Sequence, residues 1–181
     1  MPASHAKLTK ALQQLKTKKL LLLSLDAKRY HQAQPFIIKH LTKKSKGIYV
    51  SFNKQYSEIQ SIFEKNGIDK DKVYLIDAVS KKGKNFPKGC YCLNSPESLT
   101  ELSIVLTNLL KQRYEFIFFD SLSSLLIYNN LETVERFVHY LTGKIKYLQV
   151  KGVFITLNDT KSRDLILVIS PFFDAHIDLY I

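Results

Sequence analysis

Glycine is scarce in this chain: there are six in 181 residues, and the first is Gly47. The stretch "LLLLSLDAKRYHQAQPFIIKHL", residues 20–41, therefore has none. It has the order of a phosphate-binding unit, an apolar strand, a polar turn and a helix, without the residue that lets consecutive backbone N–H groups wrap a phosphate. Cysteine is nearly absent too. Cys90 and Cys92 are the two present, and a bond across one intervening residue is strained, so no disulfide framework is expected. Reduced thiols and a cytoplasmic location follow as expectations. A Cys-x-Cys without a second pair does not make a zinc site. The five histidines are scattered, without ligand spacing to a carboxylate or thiol. No G-x-S-x-G elbow surrounds Ser121, Ser123 or Ser124, so no hydrolase triad is indicated. Long apolar runs are missing as well. "LLLLSL" is far too short for a signal segment or a membrane span, and reads as a buried strand.

Acidic residues are few where basic ones are many. Residues 1–90 hold 19 Lys+Arg against 6 Asp+Glu, and residues 91–181 hold 8 against 10. Lysines solvating exposed faces explain much of this. The same asymmetry also suits an acidic partner, an anionic membrane or nucleic acid. Tyr30, Tyr56 and Tyr91 lie among these lysines and are expected to be exposed, where they could stack on bases.

What is present is a regular alternation. A basic amphipathic helix over residues 5–18 carries Leu8, Ala11, Leu12 and Leu15 on one stripe. Strands are expected at 20–25, 47–52, 73–77, 116–120, 152–157, 165–170 and 175–181. Helices are expected at about 32–42, 55–66, 96–112 and 131–149. Asn66-Gly67 closes the second of these four, and Ser95-Pro96-Glu97 opens the third. Residues 80–95 read as a loop with a short hairpin. Short apolar strands alternating with amphipathic helices predict a three-layer α/β/α domain, with a mainly parallel central sheet of about seven strands. The length suits one domain, residues 1–181, with residues 1–18 as its N-terminal helix.

Ligands of such sheets collect at the carboxyl ends of the strands. Polar residues stand there at Ser24 to His31, Asn53-Lys54, Asp120-Ser121 and Asn158-Asp159. The most specific of these is "FIFFDS". An apolar strand ending in Asp-Ser has the form of a Walker B strand, whose carboxylate holds Mg²⁺ under a nucleotide's phosphates. The simpler role for Asp120 is to cap the following turn.

From "GIYVSFNKQYSEIQSIFEKNGID" and "VYLIDAVS" through "FDSLSSLLIYNN", the long helix and the final "DAHIDL", the chain resembles the RecA/KaiC-like P-loop ATPases. The likeness is nearest to small KaiC-type domain proteins of archaea, and spans about residues 18–181. It implies a RecA-like fold and a nucleotide site made of Lys28, Arg29, His31, Asn53, Asp120 and Ser121, with Asp120 the Mg²⁺ ligand if a nucleotide is bound. The chain departs from the family pattern in three places. Ser24 to His31 lacks both P-loop glycines, and Tyr30-His31 replaces the Lys-[Ser/Thr] pair. Asn53-Lys54 stands where the family places its catalytic glutamate. The basic finger beyond the last "D..I.L" strand is not reached before Ile181. Each lost part is worth orders of magnitude in rate. The expectation is a degenerate, non-catalytic domain with no required cofactor, acting as a regulatory or scaffold module on a protein partner, with self-assembly by analogy. A nucleotide binder without efficient hydrolysis, and a nucleic-acid binder using the basic half, are the alternatives.

Overall fold

A computed structural model describes residues 3–80 and 87–179. One sheet of seven strands runs through it: β1 (Leu20–Leu25), β2 (Gly47–Ser51), β3 (Val73–Asp77), β4 (Cys90–Cys92), β5 (Phe116–Asp120), β6 (Lys151–Leu157) and β7 (Ala175–Asp178). Their order is β4-β3-β2-β5-β6-β1-β7, and every pairing is parallel. Six helices cover the sheet: α1 (Ala3–Gln13), α2 (Ala27–Thr42), α3 (Tyr56–Asn66), α4 (Leu99–Leu110), α5 (Leu131–Tyr147) and α6 (Ser162–Ile169).

The two faces have separate cores. Leu21, Leu23, Tyr49, Leu75, Phe118 and Ile155 pack with α1, α2 and α3. Leu20, Leu22, Val50, Ile76, Phe119 and Phe154 pack with α4, α5 and α6. A strand buried on both faces needs apolar residues at every position, which is why β1 reads "LLLLSL" without alternation. The architecture is the three-layer α/β/α sandwich expected from the sequence.

Close approach fixes Gly47. A Cβ on Gly47 would meet the Phe116 ring, where β2 and β5 begin side by side. Gly67 closes α3 at φ +60, with its N–H bonded to Glu64 and Phe63 carbonyls, a conformation that glycine adopts without penalty.

Four local expectations are corrected. The helix expected from about residue 32 begins at Ala27, because Asp26 caps it by accepting the Arg29 N–H at 2.8 Å. Residues 165–170 are not a strand: 165–169 end α6 and Ser170 opens a 3-10 turn. Leu165 and Ile169, four apart, are fully buried while Leu167 is 72% exposed, a helical period rather than an alternating one. Cys90–Cys92 is an edge strand parallel to β3 rather than part of a hairpin; residues 81–86 of that loop lie outside the described residues. The third helix starts at Leu99, because Ser95 to Ser98 close a separate turn, with the Ser98 N–H on the Ser95 carbonyl at 3.1 Å. The seven strands thus include β4, within the stretch whose sequence reads as a loop with a short hairpin, and exclude 165–170.

Candidate functional site

Asp120 ends β5 with its side chain on the α1–α3 face, the same side as Phe116 and Phe118. It is fully buried. Three elements send donors to it. Tyr49, two residues back on the neighbouring strand β2, donates its hydroxyl to Oδ2 at 2.6 Å. Tyr30 and Gln34 lie one turn apart on α2 and so face the same way. Tyr30 Oη donates to Oδ2 at 2.8 Å, and Gln34 Nε2 at 3.2 Å. Gln34 also bonds the Tyr49 hydroxyl. Asn53, just past β2, donates Nδ2 to Oδ1 at 3.2 Å.

The shell continues outward. Lys54 Nζ donates to Tyr30 Oη at 2.8 Å and stands 4.1 Å from the centre of the Tyr30 ring. Ser121 Oγ lies 3.1 Å from Ser123 Oγ and 3.0 Å from Ser124 Oγ, and Ser124 bonds Asn53 Oδ1. Ser123 Oγ accepts the Leu157 N–H at 3.0 Å, which ties the network to the end of β6. The Asp120–Ser121 peptide is cis. Among the described residues, every buried side-chain nitrogen and oxygen has a hydrogen-bond partner.

Burial pushes the Asp120 carboxyl above its usual range, against the pull of the Tyr49 and Tyr30 hydroxyls, Lys54 and Asn53. Burial and the neighbouring Asp120 charge hold both phenols well above theirs, so Tyr30 and Tyr49 stay protonated donors. Burial lowers Lys54, partly offset by the charges of Asp120 and Glu58.

Of the six residues assigned to a nucleotide site from sequence, the structure brings together Asp120, Ser121 and Asn53. It does not bring Lys28, Arg29 and His31 to them. Lys28 and His31 are exposed, and the His31 ring meets Tyr30 edge-on at 5.2 Å. Arg29 pairs with Asp26 at 3.3 Å and donates Nη1 to the Leu179 carbonyl at 2.6 Å. Sequence reasoning missed Tyr30, which is buried rather than exposed, and also Gln34, Tyr49 and Lys54. One signal was readable: a tyrosine inside a wholly buried strand needs a partner for its hydroxyl; that the partner is Asp120 follows only from the pairing of β5 with β2.

A Mg²⁺–nucleotide does not fit these residues. Oδ2 of Asp120 already accepts from three donors and Oδ1 from a fourth. An ammonium group, that of Lys54, rests on one of them, Tyr30. The link from β1 to α2 is the single residue Asp26, too short for a cradle of amides. Among the described residues, no group of three or more His, Cys, Asp and Glu is placed to hold a metal ion.

A second polar cluster lies at the same edge. Ser24 Oγ is 2.7 Å from His176 Nε2, and Asp178 Oδ1 is 3.0 Å from that same nitrogen. A Ser-His-Asp relay uses the two ring nitrogens separately, so this contact joins β1 to β7 and relays nothing. No helix among the described residues is long and apolar enough to cross a membrane.

Among curated proteins, none matches this sequence. Residues 48–179, which hold Tyr49, Asn53, Lys54 and Asp120, match the family of unknown function DUF7504, and the chain belongs to that family.

Proposed function

We propose that this chain is a RecA/KaiC-like domain that has given up ATP chemistry, and that it acts in the cytoplasm as a regulatory or scaffold module through protein contacts. One observation carries the reading. The Asp120 carboxylate, the group that would hold Mg²⁺, is filled from within by Tyr30, Tyr49, Gln34 and Asn53. Tyr30 stands where the resemblance places the phosphate-binding lysine, and it closes the site instead of opening it. The partner-facing surface in this reading is the α4–α6 side. Ile104 is 58% exposed on α4, and it shares a groove with Tyr140 of α5. Leu167 stands out on α6. This reading assigns the contact to these exposed apolar groups.

Thermal unfolding with millimolar Mg-ATP, Mg-GTP or a cyclic dinucleotide tests the loss of nucleotide binding. A ligand present at 100 times its Kd would add about 2.7 kcal/mol to stability, so a real site is easily seen. The expected result is an unchanged Tm with each of the three. A Mg²⁺-dependent rise in Tm, or ATP turnover that Asp120→Ala abolishes, overturns the reading. Light scattering across a dilution series then tells whether a second copy is the partner: a mass that falls from dimer to monomer on dilution identifies it.

A further inference from the structure

The edge of the sheet opposite Asp120 is where the cations gather. Six of the seven strands are entered through a base. Lys19, Lys46 and Lys72 immediately precede β1, β2 and β3; Lys88 stands two residues before β4, Arg113 three before β5, and Lys151 opens β6. Strand order sets these amino ends side by side from β4 to β1, a span of roughly 24 Å at about 4.8 Å per strand.

Some of these bases are engaged internally. Lys72 Nζ donates to the Thr42 carbonyl at 3.0 Å, and Lys18 Nζ to the Asp174 carbonyl at 3.1 Å. Three other lysines of this edge, Lys46, Lys70 and Lys88, line a cleft of about 460 Å³ together with Tyr56, Tyr74 and Tyr114. Among the described residues that line the cleft there is one carboxylate, Asp71. The Tyr74 and Tyr114 rings meet edge to face, 6.0 Å apart at 65°, and both line this cleft. The size is that of a small-ligand pocket. Beyond Lys46 the strip continues into a second hollow of about 490 Å³, whose rim holds Lys16, Lys43, Lys44 and Lys151.

We propose that this amino edge binds single-stranded nucleic acid, with one base against Tyr74 and Tyr114 and the phosphates following the lysines toward Lys43 and Lys44. Aromatic faces amid a basic track are the two elements of single-strand recognition. A duplex keeps its bases stacked inside and offers tyrosine no face. An acidic peptide would satisfy the lysines and make no use of the Tyr74 and Tyr114 ring faces. This inference is independent of the Asp120 reading, since it uses the other edge of the sheet and no Mg²⁺.

Fluorescence anisotropy with a labelled oligo-uridine about twelve nucleotides long, within the usual range of single-strand site sizes, tests it on the full chain. Binding at low salt should weaken as salt rises, by about 0.7 log units in affinity per log unit of salt for each phosphate neutralised. Lys70→Glu with Lys88→Glu, both at exposed positions, should weaken binding at least tenfold and flatten that slope by about 1.4. Tyr114→Ala should weaken binding about tenfold with the slope unchanged, the size of one lost stacking contact. Lys161→Glu, at the carboxyl edge, should change neither. Should Tyr114→Ala fold poorly, crosslinking of a 4-thiouridine oligomer to Tyr74 or Tyr114, read by mass spectrometry, replaces it. Absence of binding at 50 mM salt, a duplex or polyglutamate that binds as tightly as the oligomer, or a crosslink confined to the carboxyl edge each overturns the proposal.

Discussion

Asp120→Ala should destabilise the fold by about 3 kcal/mol, because it strands the Tyr30 and Tyr49 hydroxyls and the Gln34 amide in a closed interior. For a chain of this length that lowers Tm by roughly 6–12 °C. The variant measures which role the carboxylate has. An acid kept for a ligand it has yet to meet is a liability to the free protein, and its removal would leave Tm unchanged or raise it. A keystone gives the loss. The pH dependence gives a second, independent reading. Burial raises the folded-state pKa of Asp120, so the folded chain holds that proton more tightly than the unfolded chain does. Its contribution is fully present below the unfolded value of about 3.9 and is lost as pH rises through the folded value. Relative to Asp120→Asn, wild type should therefore gain stability as pH is lowered from 7 toward 4. Urea midpoints of the two proteins across that range check the sign, and a wild type that loses stability relative to Asp120→Asn on acidification contradicts the buried-acid account.

Phe119→Ala should have an effect of the same order or larger, about 3–5 kcal/mol. Phe119 is fully buried on the α4–α6 face, immediately before Asp120. Its ring stacks on Phe52 at 5.7 Å and on Phe154 at 5.5 Å, and Phe137 lies 6.2 Å away. Truncation removes the centre of a four-ring cluster drawn from β5, β6, α5 and the residue after β2. Phe119→Leu keeps most of the volume and should lose about 1.5 kcal/mol at most. Equal urea midpoints for the alanine variant and wild type would mean that the rings do not pack as described.

The layers and most strands could be read directly because β1, β3 and β5 are short unbroken apolar runs, and burial on both faces leaves no other pattern. The run 165–170 misled for the same reason. "LILVIS" is apolar throughout, and only the exposure of Leu167 against buried Leu165 and Ile169 separates helix from strand. β4 was invisible because three residues at a sheet edge carry no period. At the site, Asp120, Ser121 and Asn53 could be found from their places at strand ends. Lys28, Arg29 and His31 were grouped with them by assuming a loop where Asp26 instead starts a helix. Tyr30 and Gln34 needed that helix to be known first, since only its turn brings them to one face. Lys54 reaches the site through the tyrosine hydroxyl, a contact that no local pattern announces.

The position of β1 bears on how the chain reaches this fold during synthesis. β1 spans residues 20–25, yet its neighbours are β6 and β7, made later and ending at Leu157 and Asp178. At typical ribosomal rates it waits on the order of 10 s for a strand to pair with. In that interval "LLLLSL" is an apolar segment with unpaired backbone on both edges, the kind that adds to other chains. The lysines that crowd the first half of the sequence surround that segment from the moment it emerges, and like charge holds nascent copies apart until the last strand arrives.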